Sequence, residues 1–372
     1  VVSGGLPPII DMLSSESDLV RRYAAMTLTN LTNEKANQEH VVKQGGLPPL
    51  IQLAKSADPD CARYAGMAIC NLAALRVNRV PIVKAGALKP LVDMASSDRL
   101  EVQRASGLAL YNISCAVTNQ IAMVRANVLS GLVALTESPD VDCCRYAIMT
   151  MCNLSANHET RNDATRGGGL QGAIVLARNE DLEVRRYAAI CLCNMANNPT
   201  TQVQVVVHGG LPPLMDLVTS SDVDSQRHAL MALTNLIANE SNHTQMVKQG
   251  ILETLMALVQ SPDADVREYA TFCLANLASN PDHLNAMGKA GAIPPLITLS
   301  FSSNVHSQCL ALAALRRLST NPHNRGRLVR AGVLQSLASA GASAEVLLGM
   351  RQEVMSGGIE GRLTELRIKV KT

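Results

Sequence analysis

The chain has 372 residues, of which 33 are Lys or Arg and 31 are Asp or Glu, so its formal net charge is +2. Charges this evenly balanced argue against a surface built for nucleic acid or for an anionic membrane. Aromatic residues make up only 2% of the chain and Trp is absent, which also disfavours proteins that stack single-stranded bases. No apolar run of about 18 residues predicts direct membrane insertion, and no signal or transit peptide is recognised.

The ten cysteines lie mostly within apolar helical patterns, as at Cys70, Cys152 and Cys191, and no pair has C-x-x-C spacing. They are interpreted as small buried side chains of a protein from a reducing compartment, so a cytoplasmic location is expected, with cytoskeletal, ciliary or nuclear placement left open. The eight histidines show neither H-x-x-x-H nor H-E-x-x-H spacing. No metal, cofactor or catalytic residue is therefore predicted.

One stretch, first seen as VRRYAAMTLTNL at residues 20–31, returns every 41 residues. A fixed period near 40 in a helical pattern predicts an all-α solenoid. The Asn of this stretch is the most regular feature. It occurs at Asn30, Asn71, Asn112, Asn153, Asn194, Asn235 and Asn276, and Arg317 takes the eighth position.

Three helices are predicted in each repeat. A short first helix, as at 118–126, 239–249 and 321–331, is closed by a glycine in the left-handed conformation. These junction glycines are Gly5, Gly46, Gly86, Gly169, Gly210, Gly250, Gly291 and Gly332, and the junction at Asn127 lacks one. A second helix opens with Leu-Pro-Pro or Ile-Pro-Pro in several repeats, because Pro in the first turn loses no hydrogen bond.

The third helix carries the recurring Asn, and Ser or Asp before it is expected to cap it. Counting back from the Asn, offsets −10, −6, −2 and +1 are apolar or small and form a buried stripe, as in Val184, Ala188, Leu192 and Met195. The Asn and the residues four and seven before it lie within about 60° of one another on a different side of the helix. We call this side, with the Arg at offset −8, the ladder face.

Three further rows accompany the Asn row on the ladder face. At −4 stand Met26, Met67, Leu108, Met149, Ile190, Met231 and Phe272. At −7 stand Tyr23, Tyr64, Tyr146, Tyr187 and Tyr269, with Ala105 and His228 as exceptions. At −8 stand Arg22, Arg63, Arg104, Arg145, Arg186 and Arg227, and the row ends at Glu268.

Each row has a structural interpretation beside a binding one. The Asn amide could tie its repeat to the next through a backbone carbonyl, or contact a partner's backbone. Five of the Arg residues follow a carboxylate by three residues, a pairing that contributes roughly 0.2–0.5 kcal/mol and leaves the guanidinium partly available to an anion. The carboxylates are Asp60, Glu101, Asp142, Glu183 and Asp224. The Tyr row suits either rim packing or a wet binding face.

These features resemble the armadillo-repeat family, in which a Gly closes the first helix, G-x-(I/L)-P-P-L opens the second and A-L-x-N-(L/I)-A ends the third. The resemblance covers roughly residues 1–340. It implies a right-handed superhelix whose third helices line a concave groove that binds extended partner segments. The ladder Asn residues would contact the partner's backbone.

The leading functional hypothesis is a non-enzymatic scaffold, part of a larger assembly or longer chain, that holds an acidic or phosphorylated segment of another protein. A transport receptor for basic nuclear signals is the alternative, although that branch of the family carries Trp at offset −4 and this chain has no Trp. A third hypothesis is the substrate-binding region of a larger ubiquitin ligase.

The predicted domains are a solenoid over residues 1–340, with a truncated first repeat, seven full repeats and a partial last one, and a tail over residues 341–372. The tail ends in Leu366-Arg367-Ile368-Lys369-Val370-Lys371, which alternates apolar and basic residues. An edge strand, a fraying end and the lead into another domain all fit this pattern.

Overall fold

The computed structural model describes residues 4–301 and 305–333, and these residues are helical with no strand among them. The chain divides into two compact units, Val1–Met195 and Ala196–Thr372. Within each unit the chain runs through first, second and third helices in turn, so the predicted three-helix repeat and all-α solenoid are confirmed. The predicted tail, residues 341–372, lies outside the described residues.

In the first unit the long third helices are Asp18–Thr32, Pro59–Ala74, Leu100–Ser114, Val141–Ala156 and Leu182–Met195. The second helices are Leu6–Met12, Leu47–Leu53, Leu88–Ala95, Val128–Thr136 and Leu170–Leu176. The first helices are Lys35–Lys43, Arg79–Lys84, Val117–Arg125 and Arg161–Ala164. A 3-10 turn at Arg76–Asn78 precedes one of them, and a π turn at Thr165–Gly169 follows another.

The second unit repeats this order. Its first helices are Pro199–Val207, Glu240–Lys248, Leu284–Ala290 and Pro322–Arg330, with a 3-10 turn at Pro281–His283. Its second helices are Leu211–Val218, Ile251–Leu258 and Ile293–Leu299. Its third helices are Val223–Ile237, Ala264–Leu277 and Val305–Thr320.

The turn between first and second helices uses a left-handed residue, but in the glycine doublets it is the first glycine and not the one predicted. Gly45 has φ +79° while Gly46 is right-handed. The second glycine is needed for space, since a Cβ on Gly46 would lie 2.9 Å from the Val41 carbonyl oxygen. At the junction without glycine, Asn127 itself adopts φ 56°, which Asn tolerates better than most residues.

The apolar stripe of each third helix forms the core. In the helix Leu182–Met195 the side chains of Val184, Ala188, Leu192 and Met195 are fully buried. Burial of this stripe between neighbouring helices is the main source of stability in a solenoid. In the first third helix Val20 is 37% exposed, because no described helix packs on that side.

Capping of the third helices follows the prediction in most repeats. Asp58, Asp140, Asp222 and Asp263 each accept a hydrogen bond from a backbone N–H of the first turn. The third helix Leu100–Ser114 departs from the prediction: its capping residue is Arg99, neither Ser nor Asp, and the Arg99 side chain makes no cap bond.

No helix in the described part of the chain is both long and apolar enough to cross a membrane.

The assignment of faces predicts different costs for two truncations on one helix. Leu192→Ala opens a cavity in the core and should lower the unfolding free energy by about 2–5 kcal/mol. Tyr187→Ala removes a half-buried side chain from the ladder face and should cost clearly less. Urea denaturation midpoints measure both. If Tyr187→Ala is the more destabilising change, the two faces have been exchanged.

Candidate partner-binding face

The ladder face is accessible along both units. Every residue of the −4 row, from Met26 to Phe272, is half-buried, and so are the ladder Asn residues other than Asn30, which is exposed. The Tyr row is half-buried too, apart from Tyr23, which is 57% exposed. Surfaces of this kind, partly apolar and lined with amides, are suited to contact with another chain.

Three ladder amides are tied to the preceding repeat. The Nδ2 group of Asn71 donates to the Thr29 carbonyl and to Thr32 Oγ1, each at 3.2 Å, and to Asn33 Oδ1 at 2.9 Å. Asn153 donates to Ser114 Oγ at 2.8 Å, and Asn194 donates to Ser155 Oγ at 3.4 Å. The structural interpretation therefore holds for these three, but most of their bonds go to side chains.

The bond from the ladder amide to a hydroxyl group depends on one sequence position, two residues after the Asn of the preceding repeat. That position holds Thr32, Ser114 or Ser155 where the bond forms. Opposite Asn112 and Asn276 it holds Ala73 and Ile237, which offer no hydroxyl.

Within the described ranges the amides of Asn112 and Asn276 make no hydrogen bond. The structural interpretation therefore does not hold for these two.

The Arg row is fastened mainly between repeats, which sequence analysis missed. Arg22, Arg104, Arg145 and Arg227 each reach the Asp 36 residues later, at the start of the next third helix. The N–O distances are 2.6 Å for Arg22–Asp58, 2.7 Å for Arg145–Asp181 and 2.6 Å for Arg227–Asp263. We call these contacts, with Arg104–Asp140, the repeat clamps.

Three predicted pairs within one helix form, at longer distances than the clamps: 3.3 Å for Arg63–Asp60, 3.2 Å for Arg145–Asp142 and 3.9 Å for Arg227–Asp224. The predicted pair of Arg104 with Glu101 is wrong, because Arg104 contacts Asp140 and Asp142 of the next repeat instead.

Each clamp carboxylate also accepts a backbone N–H of its own helix. Asp140 accepts from the N–H groups of Asp142 and Cys143 while it binds the Arg104 guanidinium. Burial alone would raise the pKa of Asp140, but the guanidinium and the N–H donors hold that pKa below its usual value. The pKa of Asp58 is lowered as well, first by the Cys61 N–H and next by Arg22. The clamp thus joins two helices through one ionised group.

Aromatic contacts cover part of the ladder face. The Arg63 guanidinium lies 4.1 Å from the centre of the Tyr64 ring, a cation–π contact. Tyr111 stacks on Tyr146 of the next repeat, with ring centres 6.3 Å apart. Burial is the main reason that the pKa of each of these two phenols is raised. Sequence analysis missed Tyr111, which stands one residue before Asn112 and outside the Tyr row.

A cleft of about 560 Å³ opens beside Asn153, where the third helices Leu100–Ser114 and Val141–Ala156 end. Its walls include the apolar side chains of Val117 and Ala156, with His158 and Glu159 also lining it. Its polar lining residues are Ser114, Cys115, Gln120, Asn153 and Asn157.

The hydrogen-bond donors of this cleft point into the protein. Asn157 Nδ2 donates to Gln120 Oε1 at 2.8 Å, and Gln120 Nε2 donates to the Ser114 carbonyl at 2.9 Å. Ser114 Oγ donates to the Tyr111 carbonyl at 2.7 Å. In contrast, the Glu159 carboxylate has no ion pair with any described residue. Apart from His158, the cleft therefore offers mainly acceptors and favours a ligand rich in donors.

The described residues contain no group of three or more His, Cys, Asp or Glu that could hold a metal ion. Among the cysteines other than Cys309, none forms a disulfide bond and only Cys115 is exposed. Burial raises the pKa of the Cys70 and Cys273 thiols to about 12, so both stay protonated at neutral pH.

The repeat clamp leads to a stability prediction. Asp140→Ala removes a helix cap and a clamp, and should lower the unfolding free energy by about 0.5–2 kcal/mol. Because the pKa of Asp140 is lowered in the folded state, its contribution is present at neutral pH and is lost as the pH falls through that lowered pKa.

A double-mutant cycle with Arg104→Ala, read from urea denaturation, measures the coupling between the two side chains. Strictly additive effects would show that the clamp contributes nothing beyond the cap.

The comparisons with known proteins agree with this architecture. A sequence profile described as Armadillo/beta-catenin-like repeat matches residues 1–33, 34–74 and 76–115, and one described as Armadillo-like matches residues 124–310 and 173–347. No curated protein matches the sequence.

Solved structures do match. An engineered protein from a structural genomics consortium is 28% identical, with a TM-score of 0.75, over 96% of this chain and 90% of that one. A second engineered protein from the same consortium is 29% identical, with a TM-score of 0.56, over 63% of this chain and 96% of that one. A computationally designed armadillo repeat protein for modular peptide recognition is 25% identical, with a TM-score of 0.58, over 62% and 99%. The chain belongs to the armadillo-repeat family.

Proposed function

We propose that this protein is a non-enzymatic scaffold that binds an extended segment of another protein along the ladder face. The observation that carries the proposal is the row of amides at one helical position, three of which, Asn30, Asn112 and Asn276, make no bond within the described residues. A side-chain amide both donates and accepts, so it can pair with the N–H and C=O groups of an extended backbone. The designed relative made for peptide recognition supports this mode.

The half-buried side chains beside the amides would supply the apolar contacts. Leu108 and Met149 flank Asn112 and Asn153 on their helices, and the stacked Tyr111 and Tyr146 lie between the two repeats. Rigid aromatic rings and flexible Met side chains are both common where a protein binds another chain. This stretch of the first unit is the centre of the proposed site.

We further propose that acidic or phosphorylated segments are preferred. The Arg104 side chain is 50% exposed although it is clamped to Asp140. A phosphate or carboxylate of the partner could accept the guanidinium N–H groups that the clamp does not use, and bidentate bonds of this kind are strong. The clamps reduce this preference, because each Arg already shares its charge with a carboxylate.

A basic segment is the second candidate, and the cleft beside Asn153 favours it. The cleft offers acceptors and the unpaired Glu159 carboxylate, while Lys and Arg side chains carry only donors. The first candidate places an acidic segment near the start of the third helices, beside Arg104. The second places a basic segment where the third helices end, beside Glu159.

The ladder amides provide a first test. Asn112→Ala should leave the unfolding free energy almost unchanged and weaken partner binding, since its amide has no bond to lose within the fold. Asn71→Ala is the matched control, because it removes three bonds to the preceding repeat and should cost stability. Urea denaturation and quantitative affinity purification from the source cells measure both effects. Unchanged binding by the Asn112 variant would remove the amide from the site.

Charge preference is tested on synthetic peptide arrays of acidic, phosphoserine-containing and basic sequences. Acidic and phosphorylated peptides should be retained, less so as the salt concentration rises from about 0.05 to 0.5 M, because salt screens charge contacts. Arg104→Ala should reduce retention and Glu159→Gln should not. Retention of basic peptides that is lost with Glu159→Gln would establish the second candidate in place of the first.

A further inference from the structure

Two histidines of neighbouring repeats lie together inside the second unit. His243 is 1% exposed and His283 is 6% exposed, and their ring centres are 6.1 Å apart. Each ring has one buried nitrogen without a hydrogen-bond partner, Nδ1 of His243 and Nε2 of His283. Buried polar atoms are nearly always paired, so two such atoms at one contact are unusual.

The hydrogen bond of His243 assigns the tautomer of its neutral ring. Its Nε2 lies 2.7 Å from the Ile237 carbonyl oxygen, which can only accept, so Nε2 carries the hydrogen. The buried Nδ1 is then a lone pair in the neutral ring. Protonation would place an N–H at Nδ1 where no acceptor is available.

Neither position holds a histidine in any other repeat: that of His283 is mostly Asn, and that of His243 is mostly Gln or Arg. The position of His243 is occupied by Gln120 and Gln202 in other repeats, and each donates to the equivalent carbonyl, of Ser114 and Ala196. The position of His283 is occupied by Asn242 in the preceding repeat, which donates to the Leu236 carbonyl at 2.9 Å. These contacts hold each first helix against the end of the preceding third helix. At this one junction, two titratable rings replace the amides.

We propose that His243 and His283 form an acid-sensitive lock: the neutral pair holds the second unit closed, and protonation opens the packing between its first helices. Opening follows because a buried imidazolium next to a second histidine lacks both an acceptor and a compensating charge. The first unit has no histidine at these positions, where it carries Gln38, Arg79, Gln120 and Arg161 in place of His243, and it should not respond.

The surrounding charges do not offset this effect. Burial lowers the pKa of His283 most, His243 lowers it further, and the exposed Asp282 raises it less than these two lower it. On the helices packed around the pair, Glu240, Lys248, Glu253 and Lys289 are exposed. Arg327 of the next first helix donates to Asn324 and Asn285.

The sign of the pH effect follows. Because the folded pKa of His283 lies below its unfolded value of about 6.5, the stability it allows is complete above that pH and is lost as the pH falls through the folded pKa. Each such histidine lowers the folding constant by at most about tenfold per pH unit.

The test compares the full chain with His243→Gln and His283→Asn together, which restores the amides used in the other repeats. Hydrogen exchange at pH 7.5 and 5.5, corrected for intrinsic rates, is followed by mass spectrometry. Amides of Glu240–Lys248 and Leu284–Ala290 should lose protection in acid in the wild type and keep it in the double variant. His323→Asn, an exposed position, should behave as the wild type does. An equal loss of protection in wild type and double variant would overturn the proposal.

A second measurement needs no variant. Exchange at the imidazole C2 position in the wild type reports the pKa of each histidine. His283 should titrate below the value of about 6.5 that an unperturbed histidine has. If it titrates at or above that value, the lock does not exist.

Discussion

Burial of one apolar stripe between successive third helices is the constraint on which the rest of the structure depends. In the third helix Val141–Ala156 the stripe of Cys143, Ala147, Met151 and Leu154 is fully buried, because the third helices Leu100–Ser114 and Leu182–Met195 pack against this helix. The 41-residue period keeps every helix in the same rotation about its axis, so each row of side chains recurs on the same side. Because the stripe faces the core in every third helix, the ladder face on a different side of the same helix is left accessible.

The rows of the ladder face have structural roles beside the binding role that we propose for them. Each repeat clamp joins an Arg of one third helix to the Asp that caps the next third helix, and the amide of Asn71 joins two repeats in the same way. The amide of Asn112 has the same position and no such bond. Thr32 and Asn33, which accept from Asn71, are replaced by Ala73 and Ala74 opposite Asn112, and these two changes separate the two cases. A scaffold can thus vary its binding residues repeat by repeat while it keeps the fold.

Much of this could be predicted from the sequence because it depends only on rotation along one helix. The burial of Leu192 and the accessibility of Met149 follow from their offsets to the Asn. The clamp between Arg104 and Asp140 could not be predicted in this way, since it joins two helices and depends on their packing. The same holds for the stack of Tyr111 on Tyr146 and for the contact of His243 with His283.

The predicted left-handed glycine is confirmed at the single-glycine junctions Gly86, Gly250, Gly291 and Gly332, but at the junctions with consecutive glycines it was placed one position late. In a doublet such as Gly45-Gly46 both residues can adopt positive φ, so the residue types alone do not predict that Gly45 is the one that does. The second glycine is required by the nearby Val41 carbonyl, a contact that only the folded turn reveals.

The most direct measurement of the central claim is photo-cross-linking from a benzoylphenylalanine placed at Met149 on the ladder face or at the exposed Val175 of a second helix. If the partner binds along the ladder face, adducts should form from position 149, mapped by mass spectrometry to one continuous segment of a partner protein, and none from position 175. Adducts formed from position 175 alone would place the partner on the second helices and contradict binding on the ladder face.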